Sequence, residues 1–445
     1  MLLFTIISIF YLSGANAAEP DYRIFHRAPY VQHVTPTEFS ILWETVADEE
    51  CTVTARGLDS HFTQTEKSKG MDHEVRFTGL APGHRYQYVV KSGEQSFSSE
   101  VKTAITGDDP FTFLVFGDNR NGYKVHQTIV NMMALEKASF YINTGDLVED
   151  GLVRKNWMRY LRIENILMRK MPLYPTVGNH ENCFGMGEKM WQKYFALPKN
   201  GPLSEKTYWF DWGNSRFIFL DTNQSFMGSR QFQWFSDILK ETELKKEIRH
   251  IFVLLHHSPY TSGPHGPNTD LIDSGAVSLM KKFGVSMTFA AHDHIYERGK
   301  ADGLNYIVTG GGGAPIYFVK TKMKYSLIAE PVNHYIRVMV NKNTIEYRVM
   351  RMDGTLLDFY VSKRIDHSER KPVQKTVKAS VSSTKTDFIK TDAAMEPVPQ
   401  ETSSNEPETG KTRSDYFYTI LMIIAGILGF AGLFIYRSHS KITIK

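Results

Sequence analysis

Cysteine is scarce in this chain. Cys51 and Cys183 are the two in 445 residues, which excludes a disulfide framework and a thiolate zinc site. Nothing in the sequence argues for the one bridge they could form. An excess of one charge is also lacking. Lys and Arg number 52 against 48 Asp and Glu, a formal net charge of +4, so there is no case for a nucleic-acid partner. No Lys or Arg lies near the start of the chain. The glycine run Val308–Pro315, "VTGGGGAP", is not followed by Lys-Ser/Thr, so it is no nucleotide P-loop. No internal repeat is found. What remains is a composition of globular type, 42% hydrophobic and 22% charged, on a chain too long for one ordinary domain.

Both ends are apolar. Leu2–Leu12 is too short to span a bilayer and runs into Ala15-Asn16-Ala17, an A-x-A pattern read as a secretory leader over 1–17 despite the missing positive head. The other end, Tyr416–Tyr436, is uncharged throughout and has tyrosines at both edges, as a membrane helix requires. Arg437, Lys441 and Lys445 follow, which predicts a cytoplasmic tail over 437–445 and a body outside the cytoplasm. Between body and helix, 363–415 is rich in Lys, Ser, Thr, Glu and Pro and nearly free of aromatics. Such a segment buries too little to offset chain entropy and is expected to be a tether reaching roughly 40 Å.

Residues 20–107 alternate with period two. In "FSILWETV", Phe39, Ile41 and Trp43 share one face and Ser40, Leu42 and Glu44 the other. With a tyrosine soon after the turn in "LAPGHRYQY", this reads as an all-β immunoglobulin-like or fibronectin type III-like sandwich. From 109 to 362 the pattern changes to buried strands alternating with helices, an α/β domain. Strands are expected in Phe111–Asp118, Ser139–Asp146, Met171–Asn179, Ser215–Asp221, His250–His257 and Val285–His294, with helices near 125–136 and 153–168.

Five of those segments end in polar side chains. "LVFGD" ends at Asp118, "YINTGD" at Asp146, "YPTVGN" at Asn179 with His180 and Glu181 next, "FVLLHH" at His256 and His257, and "TFAAHDH" at His292 and His294. Singly, each reads as a turn, a cap or a hydrogen-bonded histidine. Together they place carboxylate, amide and imidazole donors at the carboxyl ends of successive strands, the functional pole of an open α/β sheet. Those donors suit Mn, Zn, Fe or Mg. They are too many for one ion, but would serve two ions about 3.5–4 Å apart sharing one carboxylate.

The order GD…GD…GNHE…HxP…HxH resembles the calcineurin-like metallophosphoesterase superfamily, and within it the purple acid phosphatases. "AHDHIYER" stands where that family has "GHxHxYER", and "APYVQ" and "LAPGHRYQY" resemble its amino-terminal domain; the likeness covers about 23–362. It implies a four-layer β-sandwich flanked by helices and a phosphate ester hydrolase with two metal ions. By position, Asp146 would bridge both ions, Asp118 and His294 would hold the first, and Asn179, His257 and His292 the second. His257 is preferred to His256 because the family ligand stands two residues before a proline. His256 is then a supporting or substrate-facing residue. His180 would serve the leaving group, and Glu181 would orient the His180 ring.

The chain departs from the family at two positions. Glu149 stands where the family has a metal-binding tyrosine, and Arg120 two residues after the first Asp. Glu149 or water would fill the first site, and Arg120 would form a fork for phosphate oxygens. The expectation is thus an exported, membrane-anchored phosphomonoesterase whose two ions make a shared water nucleophilic. A phosphodiesterase acting on nucleotides or lipid head groups, and a binding protein on a degenerate scaffold, are the alternatives.

Overall fold

In the computed structural model, residues 20–364 are described. The expected leader, nearly all of the tether, the membrane segment 416–436 and the tail lie outside the described residues. Among the described residues, no helix is long and apolar enough to cross a membrane.

The amino-terminal region is entirely β. Its strands are β1 (Phe25–Gln32), β2 (Phe39–Gly57), β3 (Thr63–Phe77), β4 (Arg85–Ser92) and β5 (Gln95–Lys102), all paired antiparallel. A register shift between Glu44 and Glu49 divides β2. Before it, β2 pairs with β1 and the second half of β3; after it, with the first half of β3 and with β4, which carries β5. One continuous sheet thereby folds into two layers. Phe39 on β2 lies 6.0 Å from Tyr86 on β4, and Phe25 on β1 lies 6.4 Å from Phe97 on β5, though neither pair of residues is hydrogen-bonded across strands. The Tyr86 hydroxyl accepts the Ala81 N–H at 2.8 Å, a tyrosine corner at the Pro82-Gly83 turn.

The alternation in β2 holds for Phe39, Ile41 and Trp43. Yet Ser40, Leu42 and Glu44 are buried too, because later parts of the chain cover that side. Arg154 reaches Glu44 at 2.8 Å. Tyr30 donates to the Tyr194 carbonyl at 2.7 Å, Tyr88 to that of Arg169 at 2.8 Å, and Asn165 to that of Pro29 at 3.2 Å.

The rest of the chain runs β6 (Phe111–Phe116), α1 (Tyr123–Met133), β7 (Phe140–Asn143), α2 (Arg154–Met168), β8 (Leu173–Pro175), α3 (Asn179–Asn182), α4 (Glu188–Tyr194), β9 (Tyr208–Trp212), β10 (Ser215–Phe219), α5 (Arg230–Leu244) and β11 (His250–His257). It continues with α6 (Thr269–Asp273), α7 (Ala276–Lys282), β12 (Met287–Ala291), β13 (Tyr296–Ala301), β14 (Leu304–Thr309), β15 (Ser326–Glu330), β16 (His334–Asn341), β17 (Thr344–Arg351) and β18 (Leu356–Lys363). These strands form two sheets, ordered β18-β17-β16-β6-β7-β8 and β15-β13-β14-β12-β11-β10-β9.

The sheets face each other through aromatics. Phe113 lies 5.1 Å from Phe217 and 5.3 Å from Phe252, and Phe140 lies 5.2 Å from Phe217. Helices cover the outer sides: Phe235 and Leu239 of α5 and Val277 and Met280 of α7 pack with Val253 and Leu255 of β11, while α2 packs against β1 and α1. This is the expected α/β architecture with helices outside two stacked sheets. Strands β6, β7 and β8 are parallel, as are β10, β11, β12 and β14, so their carboxyl ends gather at one edge.

Candidate metal centre

At that edge each strand gives way to a tight turn. Asp118, Asp146 and His292 stand just past β6, β7 and β12 with φ of 53°, 56° and 68°. These left-handed conformations cost about 1–3 kcal/mol each and persist only where the surroundings impose them. Glycines make the close approach possible. A Cβ on Gly117 would fall 2.2 Å from Thr144 Oγ1, and one on Gly178 2.2 Å from Asp146 Oδ1.

The side chains converge. Ligand atoms of Asp118, Asp146 and His256 lie within 4.8 Å of one another, as do those of His256, His257 and His292. His256 Nε2 is 3.2 Å from Asn179 Oδ1 and 3.4 Å from Asp146 Oδ1. His294 Nε2 is 3.7 Å from Asp118 Oδ1. The other ring nitrogens are tied back, His256 Nδ1 to the Thr144 carbonyl at 2.9 Å and His294 Nδ1 to that of Pro315 at 2.7 Å. Each ring thus donates from Nδ1 and turns Nε2 to the cluster, an orientation typical of metal-ligating histidines.

The electrostatics point the same way. Asp118 is fully buried, and neither of its carboxylate oxygens has a hydrogen-bond partner. Burial pushes its carboxyl well above the usual range, with the Asp146 charge adding to the effect. Burial would also raise Asp146, but His256 and His180 outweigh it and hold that carboxyl below its ordinary value. Burial works against the charged form of His256, yet Asp146 and Asp118 carry the ring up to about 9. Burial lowers His257 to about 3, His292 to about 2 and His294 to about 4, with the His256 charge contributing in each case. Two unpartnered buried oxygens beside neutral imidazoles are a donor set that fits divalent cations.

Several expectations need correction. His257, the expected ligand, does reach the cluster, but His256 reaches it as well and brings Nε2 close to Asn179 and Asp146. His257 hangs its Nδ1 on Thr222 Oγ1 at 2.8 Å, and a register irregularity between Leu254 and His257 turns the end of β11 so that both rings reach the cluster. Glu181 does not orient the His180 ring. Its carboxylate accepts the N–H groups of Asp146, Val148 and Gly178, each at 2.9 Å, and so ties two of the turns together. Burial, then Asp146, raises it to about 8. His180 is held instead by the Glu149 carbonyl, 2.6 Å from Nδ1, with Nε2 3.8 Å from Asp146 Oδ2. The Glu149 side chain fills no gap in the first site. It pairs with Arg120 Nη1 at 2.8 Å and leaves Arg120 Nε 3.7 Å from Asp146 Oδ2.

Other residues fall where the pattern gave no signal, or one that was passed over. The strand-end rule that marked Asp118 also marks Asp221, which follows β10; it is buried with Oδ2 unpartnered. Tyr317 stacks on His294 at 3.9 Å, and His265 stands 4.1 Å from His292 with Nδ1 on Asp293; both come from loops whose sequence carries no readable code. The glycine run packs against the turn at Asp118. Gly312 and Ala314 donate their N–H groups to the carbonyls of Gly117 and Asp118, and a Cβ on Gly310 would fall 2.5 Å from Asp118 Oδ2. The run lets backbone pass beside the cluster.

Residues 111–296 match the family model of the calcineurin-like phosphoesterases. Purple acid phosphatase 21 of Arabidopsis thaliana is 26% identical over 277 residues, covering 58% of this chain and 62% of that protein. The chain therefore spans less than two thirds of that relative. Among solved structures, a purple acid phosphatase from yellow lupin (Lupinus luteus) seeds superposes with a TM-score of 0.65 at 17% identity, covering 76% of this chain and 74% of that one. The structure of PhoD gives 0.60 at 15%, covering 78% and 90%. At these identities the superpositions establish the fold.

Proposed function

From the premise that this chain carries a calcineurin-like phosphoesterase domain, we propose that it is a binuclear metal-dependent phosphomonoesterase, exported and anchored to a membrane. The observation that carries the reading is the buried cluster itself: Asp118 with two unpartnered oxygens, Asp146 beside it, and Asn179, His256, His292 and His294 around them. Asp118, Asp146 and His294 would hold one cation; Asp146, Asn179, His256 and His292 the other, with His257 alongside. Bound there, two cations supply the Lewis acidity that activates water and offsets charge on phosphate oxygens.

The chain's own groups do the rest. His180 has Nδ1 fixed on the Glu149 carbonyl, so when charged it presents the Nε2 proton to a leaving alkoxide. Arg120, 14% exposed at its side chain and paired with Glu149, stands beside Asp146. Its N–H groups not taken by Glu149 would donate to non-bridging phosphate oxygens, of which a monoester offers three and a diester two. Support for anchoring and export comes from the apolar segments at 416–436 and 1–17. A fibronectin-like domain over 20–107 and a catalytic domain over 109–362 are the boundaries that go with this reading.

Metal analysis combined with turnover of a generic phosphomonoester against a diester tests the proposal. His180→Ala is expected to retain its metal and lose about 10²–10⁴-fold in kcat; unchanged turnover would remove His180 from the reaction. A metal-free protein without turnover would leave only the binding-protein alternative.

A further inference from the structure

The start of the second sheet holds a cavity of about 670 Å³. It lies where β11 begins, at His250 and Ile251, whereas the metal cluster stands at the other end of the same strand, about 20 Å away at the usual rise per residue. Three separate segments each bring a basic pair to its wall: Lys245–Lys246 after α5, Lys281–Lys282 at the end of α7, and Lys363–Arg364 at the end of β18. The acidic residue on the wall is Glu243.

Helix dipoles account for part of this. Cations are stabilised at helix carboxyl ends, and α5 and α7 both end here. That explains the first two pairs taken singly. It does not explain a third pair delivered from a β-strand into the same concavity, where like charges raise one another's energy. Nor are all of these cations neutralised locally. Lys245 has Glu241 at 3.1 Å and Lys281 has Asp302 at 4.0 Å. Lys246, Lys282 and Lys363 have no carboxylate partner among the described residues, and all three are exposed.

We propose that this cavity binds a multiply charged phosphate group, presented on a lipid head group or as a soluble polyphosphate. Lysine ammonium groups act as point charges for phosphate oxygens without demanding a fixed geometry. Among the described residues, three ammonium groups on this wall lack a carboxylate partner, an arrangement that suits an anion of more than one charge. The site is separate from the metal cluster in place and in residues, so it stands or falls independently of the hydrolytic reading.

The full chain in detergent is titrated calorimetrically with inositol hexakissulfate, a polyanion that phosphoesterases do not cleave. Saturable binding is expected in the wild type and in His292→Ala. It is expected to weaken about tenfold or more in the triple variant Lys246→Glu/Lys282→Glu/Lys363→Glu, with hydrolysis of a generic phosphomonoester unchanged. The milder Lys→Gln triple variant gives the same comparison if the charge reversals impair folding. Displacement by mixed micelles containing phosphatidylinositol bisphosphate identifies a head group; displacement by inorganic tripolyphosphate identifies a soluble ligand. Absence of binding, binding lost in His292→Ala, or equal affinity in both triple variants and the wild type would overturn the proposal.

Discussion

His256 and His257 are adjacent in the chain, and on a regular strand neighbouring side chains point to opposite faces. Only the irregular end of β11 lets both face the cluster, each with Nδ1 tied back, His256 on Thr144 and His257 on Thr222. His256 Nε2 touches Asn179 and Asp146 directly, while His257 is tethered to Thr222. His256→Ala is expected to abolish one of two cations per chain. His257→Ala is expected to weaken that cation by about ten- to a hundredfold. Metal stoichiometry and competition with a chelator of known affinity read both outcomes, and the opposite ranking would make His257 the ligand of the pair. Glu181 shows the same dependence on surroundings. Its position three residues into the turn at Gly178 suits a carboxylate closing a helix start, and it does accept the Gly178 N–H. What the sequence did not reveal is that the same carboxylate also reaches the N–H groups of Asp146 and Val148, more than thirty positions away.

At the level of elements, the site is made by turns rather than by the strands that precede them. The junction of β8 and α3 is the clearest case. Gly178 has φ of −87°, which any residue adopts, so its requirement is for space. A Cβ there would fall 2.2 Å from Asp146 Oδ1 and 2.4 Å from Asp146 N. Gly178→Ala is therefore expected to push the Asp146 turn aside and lower kcat by about a hundredfold, since displacements near 1 Å have effects of that size. Activity and metal content measured together check this, and wild-type values for both would refute it. The strands themselves were legible. Phe111–Phe116 and His250–Leu255 are continuous apolar runs because both sheet faces are covered. β8 was not, since an apolar run expected over 171–179 yields a strand of 3 residues. Its remaining residues go into the approach to Asn179, and hydrophobicity cannot distinguish a buried strand from a buried turn.

Across the whole molecule, buried neutral histidines set a limit on stability in acid. Burial holds His334 at about 4, with the carbonyl of Val332 raising it slightly, and holds His250 at about 4. Both folded values lie below the unfolded one of about 6.5. Above pH 6.5 neither state is protonated at these groups and the full stability is present. As pH falls from 6.5 toward 4 the unfolded chain takes up protons the folded one refuses, and each group removes about 1.4 kcal/mol per pH unit. Tm is expected to fall over that range, and less steeply in His334→Gln; equal slopes would show that His334 does not contribute. Burial of the amino-terminal sheet against later parts of the chain is another property of the whole. Glu44 reads as a solvent-facing residue of an alternating strand, and it is buried because Arg154, 110 positions on, reaches it from α2. By itself, the sequence determined the classes of structure and the candidate chemistry: period-two strands followed by buried strands and helices, and a set of side chains of metal-ligand type at strand ends. Both are local, fixed by backbone periodicity and by the atoms each side chain carries. Only the tertiary structure decided which histidine meets Asn179, what Glu181 holds, that Glu149 binds Arg120, and that three basic pairs share one cavity. Those outcomes depend on distances between residues far apart in the chain, which packing sets and local pattern does not record.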